Sequence, residues 1–271
     1  MYTGLESCLA FYTVLQSLGP AATCLTFLYG SPELDAANQF FLTLIKLRTY
    51  KTNKEIALLF RIKEPEVYNI FVTWVRFMSL QWQMVDYYFP FDFKSKFPST
   101  RIIFDGTEIP IKKPSDPVAQ QATFSTYKNR NTAKSLIGIT PGGLTTYVSD
   151  CYGGSTSDRQ IVERSTIKVE KGDSMMADKG FNVQDLFASQ DVAVNIPAFF
   201  KKQNRIQGDV VLSDCRISSK RTHVERVIGL GKTYKILTHP LNHSETILSS
   251  DIVFICLMLA NFRPCIVPKT A

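Results

Sequence analysis

Met175-Met176-Ala177-Asp178-Lys179-Gly180-Phe181 (MMADKGF) runs a short apolar segment into a single carboxylate and then a glycine, between EKGD at 170–173 and NVQDLFASQ at 182–190. A brief apolar run bounded by Gly, Asp and Asn reads as a buried strand, and the polar run after it as a short helix. Working outward, RIIFDGTEIPI (101–111), KSLIGIT (134–140), LTTYVSD (144–150) and VAVNIPAF (192–199) have the same character. Together these are five strands. Pro141-Gly142-Gly143 separates the second and third closely enough for a hairpin. SDRQIVERST (157–166), with Ser157-Asp158 as its cap, and NVQDLFASQ are helical patterns after the third and fourth strands. The last element, SSKRTHVERVIGLGKTYKIL (218–237), reads as a long helix capped by Ser218 or Ser219. Strand, hairpin, helix, strand, helix, strand, long helix is the element order of an RNase H-like α/β fold.

In an open α/β sheet, ligands gather beyond the carboxyl ends of the strands, so an acid that closes an apolar run is a site candidate. Asp105 follows Ile102-Ile103-Phe104 and Asp178 follows Met175-Met176-Ala177. If those strands are neighbours, the two carboxylates converge, and paired hard oxygen ligands suit Mg²⁺. Glu225 offers a third acid on the long helix, at the edge of a stripe made by Val224, Val227, Ile228 and Gly231. Two metal ions held by three carboxylates can activate a water or 3′-hydroxyl for in-line attack on a phosphodiester. Arg221, Arg226 and Lys232 accompany Glu225 and suit phosphate contacts. Each acid also has a structural reading. Glu225 with Arg221 makes an i,i+4 pair, while Asp178 and Asp105-Gly106 suit turns. Glu108 is placed on a strand. His239 and His243, flanking Pro240, read as loop residues.

Upstream the rhythm changes. From Glu33 to about Trp82 apolar residues recur every three or four positions, which is helical. NKEIALLF (53–60), RIK (61–63) and EPEVYNIFVTW (64–74) have the lengths of two helices joined by a tight turn, with Asn53 as N-cap and Pro65 in the second first turn. That is a helix-turn-helix by length, although Glu64 and Glu66 would face DNA phosphates. A bundle that merely packs fits the same pattern. The expected organisation is an N-terminal helical segment (1–32), a helix-turn-helix-like domain (33–85) and an α/β domain (100–264).

Composition bounds the rest. The 271 residues are 45% hydrophobic and 20% charged, which describes an ordinary globular chain with ample core. A net charge of +7 is compatible with an anionic partner. The six cysteines include no CxxC pair and no histidine at ligand spacing, so neither a zinc knuckle nor a disulfide framework is signalled. CLAFYTVLQSLGPAATCLTFLYG (8–30) is broken at Gly19-Pro20 and reads as helix, turn, helix, not a signal or span. IVFICLMLA (252–260) is too short to cross a bilayer and reads as a buried helix. No membrane association is expected.

FDGTEIPIKKPSD, FSTYKNRNTAKSLIGITPGG, YGGSTSDRQI, GDSMMADKGF and RTHVERVIGLGKTYKIL, in that order, resemble the successive motifs of the DDE superfamily endonucleases, in the PIF/Harbinger-like branch of transposases and their domesticated relatives. The preceding LDAANQFFLTLIKLRTYKTNKEIALLFRIKEPEVYNIFVTW resembles the helix-turn-helix of that family. The resemblance implies an RNase H-like core, with catalytic and metal-binding acids at Asp105, Asp178 and Glu225. It further implies dependence on a divalent cation (Mg²⁺ or Mn²⁺, two ions), cutting and joining of transposon ends, DNA as partner, a homo-oligomer when active, and a nuclear location. The chain departs from relatives in its acidic reading-helix start and in offering no Cys/His set for a zinc finger, which leads to the expectation of a separate DNA-binding partner protein. The alternative is a catalytically inactive, domesticated protein that binds DNA or protein. Unrelated hydrolytic chemistry on an α/β domain is a third reading.

Overall fold

The structure, a computed structural model, describes residues 2–84, 100–178, 180–196 and 222–264. They divide into two compact units. One is helical, drawn from Met1–Asp86, Ile109–Ser115 and Leu230–Pro264, and the other is α/β, drawn mainly from Tyr87–Glu108 and Asp116–Gly229. Among the described residues no helix is long and apolar enough to cross a membrane.

In the helical unit α1 spans Cys8–Ser17, capped by the Ser7 hydroxyl, which accepts from the Ala10 N–H. The second N-terminal helix expected from the sequence is absent. A single 3₁₀ turn, Pro20–Thr23, takes its place after Gly19 at φ 72°. Residues beyond it have partners elsewhere: the Leu28 N–H donates to Asn69 Oδ1 (3.0 Å), and Asn69 Nδ2 donates to the Tyr29 carbonyl (2.6 Å). Asp35 caps α2 (Ala36–Thr49). Helix α3 (Asn53–Phe60) is capped not by Asn53 but by Thr52, because Glu55 lies three residues on and closes a reciprocal capping box. Arg61 at φ 56° turns the chain, and α4 runs over Glu64–Gln83 with Pro65 in its first turn.

Helix α3 and the turn have the expected lengths, but α4 runs nine residues past the expected Trp74 and is a core helix. Val67, Asn69, Ile70, Phe71, Val72, Trp74, Val75 and Met78 are buried, and α2, α3 and the late helix α10 (Ser249–Asn261) pack around it. Burying each large side chain contributes about 1.5–3 kcal/mol. Trp74 Nε1 donates to Gln39 Oε1 at 2.9 Å, which satisfies both buried polar groups. Helix α10 is the buried helix anticipated at 252–260. Before it comes α9 (His243–Ile247), so His243 opens a short helix capped by Asn242 and is not a loop residue. His239 does lie outside helix and strand, with its ring stacked on Tyr50. A buried ion pair, Lys46 Nζ to Glu245 Oε1 at 3.2 Å, ties α2 to α9, and Asn53 Oδ1 accepts from the same ammonium at 2.8 Å.

The α/β unit is built on a seven-stranded sheet. Its strands are β1 (Thr100–Pro110), β2 (Phe124–Ser125), β3 (Arg130–Ile139), β4 (Thr145–Val148), β5 (Tyr152–Gly153), β6 (Ser174–Met176) and β7 (Ala193–Asn195). The order is β2-β3-β1-β6-β7, with β4 and β5 both paired to β3. β1, β6 and β7 are parallel, while β3 and β4 form the expected hairpin. Three elements escaped the sequence reading: β2, β5 and the helix α5 (Pro117–Thr123), each too short for a periodic signal. Helices α6 (Asp158–Glu163) and α7 (Gln184–Ala188) fall where the patterns placed them, and Ser157 caps α6 through a capping box. Ile102, Phe104, Met175 and Ala177 point to one sheet face, where they pack with Ile161, Val162, Phe181, Val183 and Phe187.

The last helix of the sequence reading, α8, is described over 222–231 and ends there, followed by a turn and a 3₁₀ turn at Lys235–Leu237. It stops short of the expected Leu237. Gly231 lies so close to Leu257 that a Cβ on it would meet Cδ2 at 2.8 Å. The proposed caps Ser218 and Ser219 lie outside the described residues.

Candidate active site

Period-two alternation decides where the two aspartates point. Because Ile102 and Phe104 join the core on one face of β1, Ile103 and Asp105 belong to the other. In β6 the same logic sends Met175 and Ala177 to the core, so Met176, and Asp178 two positions further along the chain, share the opposite side. Ile102 stands opposite Met175 and Ile103 opposite Met176 in adjacent parallel strands, and Asp105 and Asp178 each follow two residues after the last of these pairs, Asp178 beyond the end of β6. Neighbouring strands are about 4.8 Å apart. Both residues are half-buried; Asp105 lies midway along β1, and Asp178 lies two residues past the carboxyl end of β6.

Local contacts hold this corner. Asp105 Oδ1 accepts from the Gly106 N–H at 2.8 Å. Gly106 has no room for a side chain, since a Cβ there would lie 2.8 Å from Asp158 Oδ1. That oxygen is also 2.9 Å from Lys134 Nζ, an ion pair too misaligned to be a hydrogen bond. The Lys134–Asp158 pair therefore lies beside the backbone next to Asp105. Neither was singled out for the site in the sequence. Lys134 lay within an apolar strand pattern, and Asp158 was absorbed by its capping role. On the β3 side, Thr132 Oγ1 donates to Glu108 Oε2 at 2.8 Å, with Glu108 on β1 as expected. Arg159 on α6 makes a bidentate pair with Asp185 on α7 (2.7 and 2.5 Å), which lowers the Asp185 pKa through those hydrogen bonds.

Helix α8 presents its acid differently. Val224, Val227, Ile228 and Gly231 are buried, as the stripe predicted, while Glu225 and Arg226 are exposed. Lys232 lies in the turn after the helix, and Arg221 lies outside the described residues. Among the described residues, no three His, Cys, Asp or Glu side chains are grouped closely enough to hold a metal ion. The β1–β6 pairing leads into Asp105 and Asp178, and among the described residues Glu225 is not grouped with them. Carboxylates of this kind match the donor type a divalent cation such as Mg²⁺ takes.

A mixed α/β unit with a parallel-centred sheet, and a helical unit with a helix-turn-helix before it in the sequence, is consistent with a DDE nuclease domain. The family described as DDE superfamily endonuclease matches residues 104–261, and the helix-turn-helix of DDE superfamily endonuclease matches residues 32–81. The chain belongs to the DDE superfamily endonucleases. No curated protein matches it. The two matched domains make DNA the implied partner.

Proposed function

We propose that the chain is a divalent-metal-dependent DNA endonuclease of the transposase type, of the PIF/Harbinger-like branch, which cuts and joins phosphodiester bonds at transposon ends in the nucleus. The observation that supports this reading is the parallel β1–β6 pairing that leads into Asp105 and Asp178, both inside the family-matched span. In it, Asp105, Asp178 and Glu225 would hold the divalent cations, two ions in all. A divalent cation held there would supply charge neutralisation for phosphodiester displacement. Everything else falls to the chain. The Gly106 N–H fixes one Asp105 oxygen, the Lys134–Asp158 pair lies beside the backbone that carries it, and Arg221, Arg226 and Lys232 position phosphates. Assembly as a homo-oligomer, with a separate DNA-binding partner protein, belongs to the same reading.

A second reading rests on the absence of a three-acid group among the described residues. In it the chain is a domesticated protein that binds DNA or protein without cutting. Nicking of supercoiled plasmid by the purified chain, with Mg²⁺ or Mn²⁺ and with chelator, separates the two. Metal-dependent nicking supports the enzyme, and intact plasmid under every condition supports the binding protein.

A further inference from the structure

Helix α4, the second of the helix-turn-helix, has given its surface to the core. Asn69 is tied to Leu28 and Tyr29, the Tyr29 hydroxyl donates to the Pro65 carbonyl (2.9 Å), and Glu64 and Glu66 lie in the first turn. A helix read by DNA needs successive side chains free to enter a groove. Much of α4 is thus engaged within the fold, which directs attention to other surfaces for additional contact with DNA.

The tip between β2 and β3 is such a surface. From Thr126 to Arg130 every residue is exposed, and Tyr127 is 83% exposed. No Asp or Glu occurs from Val118 to Ser149, whereas Lys128 and Arg130 flank the tip. The Lys128 ammonium lies 4.5 Å from the Tyr127 ring centroid, over one face of the ring. This tip is also well anchored. Asn129 makes the turn at φ 51°, the Lys128 N–H donates to Ser125 Oγ (3.2 Å), and Asn131 Nδ2 donates to the Gln120 carbonyl and to Thr123 Oγ1 (2.9 Å each). Its direction follows from packing on β1. Gly138 abuts Ile102 while Gly106 lies beside Lys134, so β3 runs against β1 and its first residues extend past Asp105. The tip therefore lies past Asp105 toward the carboxyl end of β1, about 20 Å along the strand direction.

We infer that the β2–β3 tip is a stacking finger for DNA, with Tyr127 taking an unpaired base and Lys128 and Arg130 the phosphates on either side. A pre-anchored aromatic beside two cations is the combination that single strands select, because every base offers a π-face and every linkage a negative charge. The finger holds strand flanking the cut, and it rests on the DNA-cutting reading above.

Fluorescence anisotropy of the full chain with a labelled duplex, either blunt or carrying a short single-stranded extension, tests it. Wild type is expected to favour the extended duplex. Tyr127→Ala loses roughly tenfold to a hundredfold in affinity for it, from a stacking contribution of about 1–3 kcal/mol per base. Tyr127→Trp retains it, and the blunt duplex is little affected by either. Lys128→Gln with Arg130→Gln makes the salt dependence of the extended duplex shallower by about 0.7 per cation. Wild-type affinity in Tyr127→Ala, or an equal loss on blunt and extended duplexes, overturns the finger and leaves the nuclease reading standing. A wild-type chain that binds neither duplex overturns both.

Discussion

Ile103 and Met176 are partners on adjacent parallel strands, and Asp105 and Asp178, 73 positions apart in the sequence, each follow two residues later, Asp178 beyond the end of β6. Neighbouring strands lie about 4.8 Å apart, inside the 4.4–6.8 Å Cα range that a disulfide spans, so continuation of the ladder by two residues would put the two positions within reach of each other. Asp105→Cys with Asp178→Cys is therefore expected to give a cross-linked peptide on mild oxidation, detected by mass spectrometry after digestion. Asp105→Cys with Gly180→Cys is not.

Gly106 is where the corner tolerates least. Gly106→Ala sets a methyl 2.8 Å from Asp158 Oδ1 and must push aside the carboxylate paired with Lys134. Overpacking of this kind costs about 1–3 kcal/mol. Thermal unfolding of Gly106→Ala should show that loss, and Gly106→Ala with Asp158→Ala should recover part of it.

The Lys46–Glu245 pair has side chains only 7% exposed on both partners. Removing one partner leaves an unpaired buried charge, so Glu245→Leu or Lys46→Met alone should cost about 3–5 kcal/mol in denaturant unfolding. The double variant should cost less than either, since no charge is stranded.

Tyr50 is pushed from 10.0 up to about 12, first by burial and then by the Glu245 carboxylate. A raised folded-state pKa favours the protonated phenol in the folded chain. Its contribution is fully present below pH 10 and lost as pH rises from 10 to about 12. Melting temperatures across that window should fall less steeply for Tyr50→Phe than for wild type.

Much of this was legible in the sequence because apolar runs bounded by Gly, Pro and Asp are what buried strands require. MMAD and IIFD showed both the strands and the acids that follow their apolar runs. Register was not legible, because pairing depends on which strands meet across long loops and not on local pattern. The core role of α4 was also hidden. Its apolar positions look the same whether a helix packs on one side or on three, and only the Asn69 bonds to Leu28 and Tyr29 reveal the added layer. The N-terminal second helix failed for the same reason, since tertiary hydrogen bonds to Asn69 outbid a weak local helical pattern. At α8 the buried stripe was read correctly, but a stripe gives the side of the helix that faces inward and not the distance from Glu225 to another carboxylate.

The most direct test compares plasmid nicking by wild type, Asp105→Asn, Asp178→Asn and Glu225→Gln in Mn²⁺, with DNA binding and melting temperature measured on the same preparations. The account predicts nicking by wild type and background levels in all three variants, each still folded and still bound to DNA. Nicking that persists at the wild-type rate in folded Asp178→Asn would contradict it.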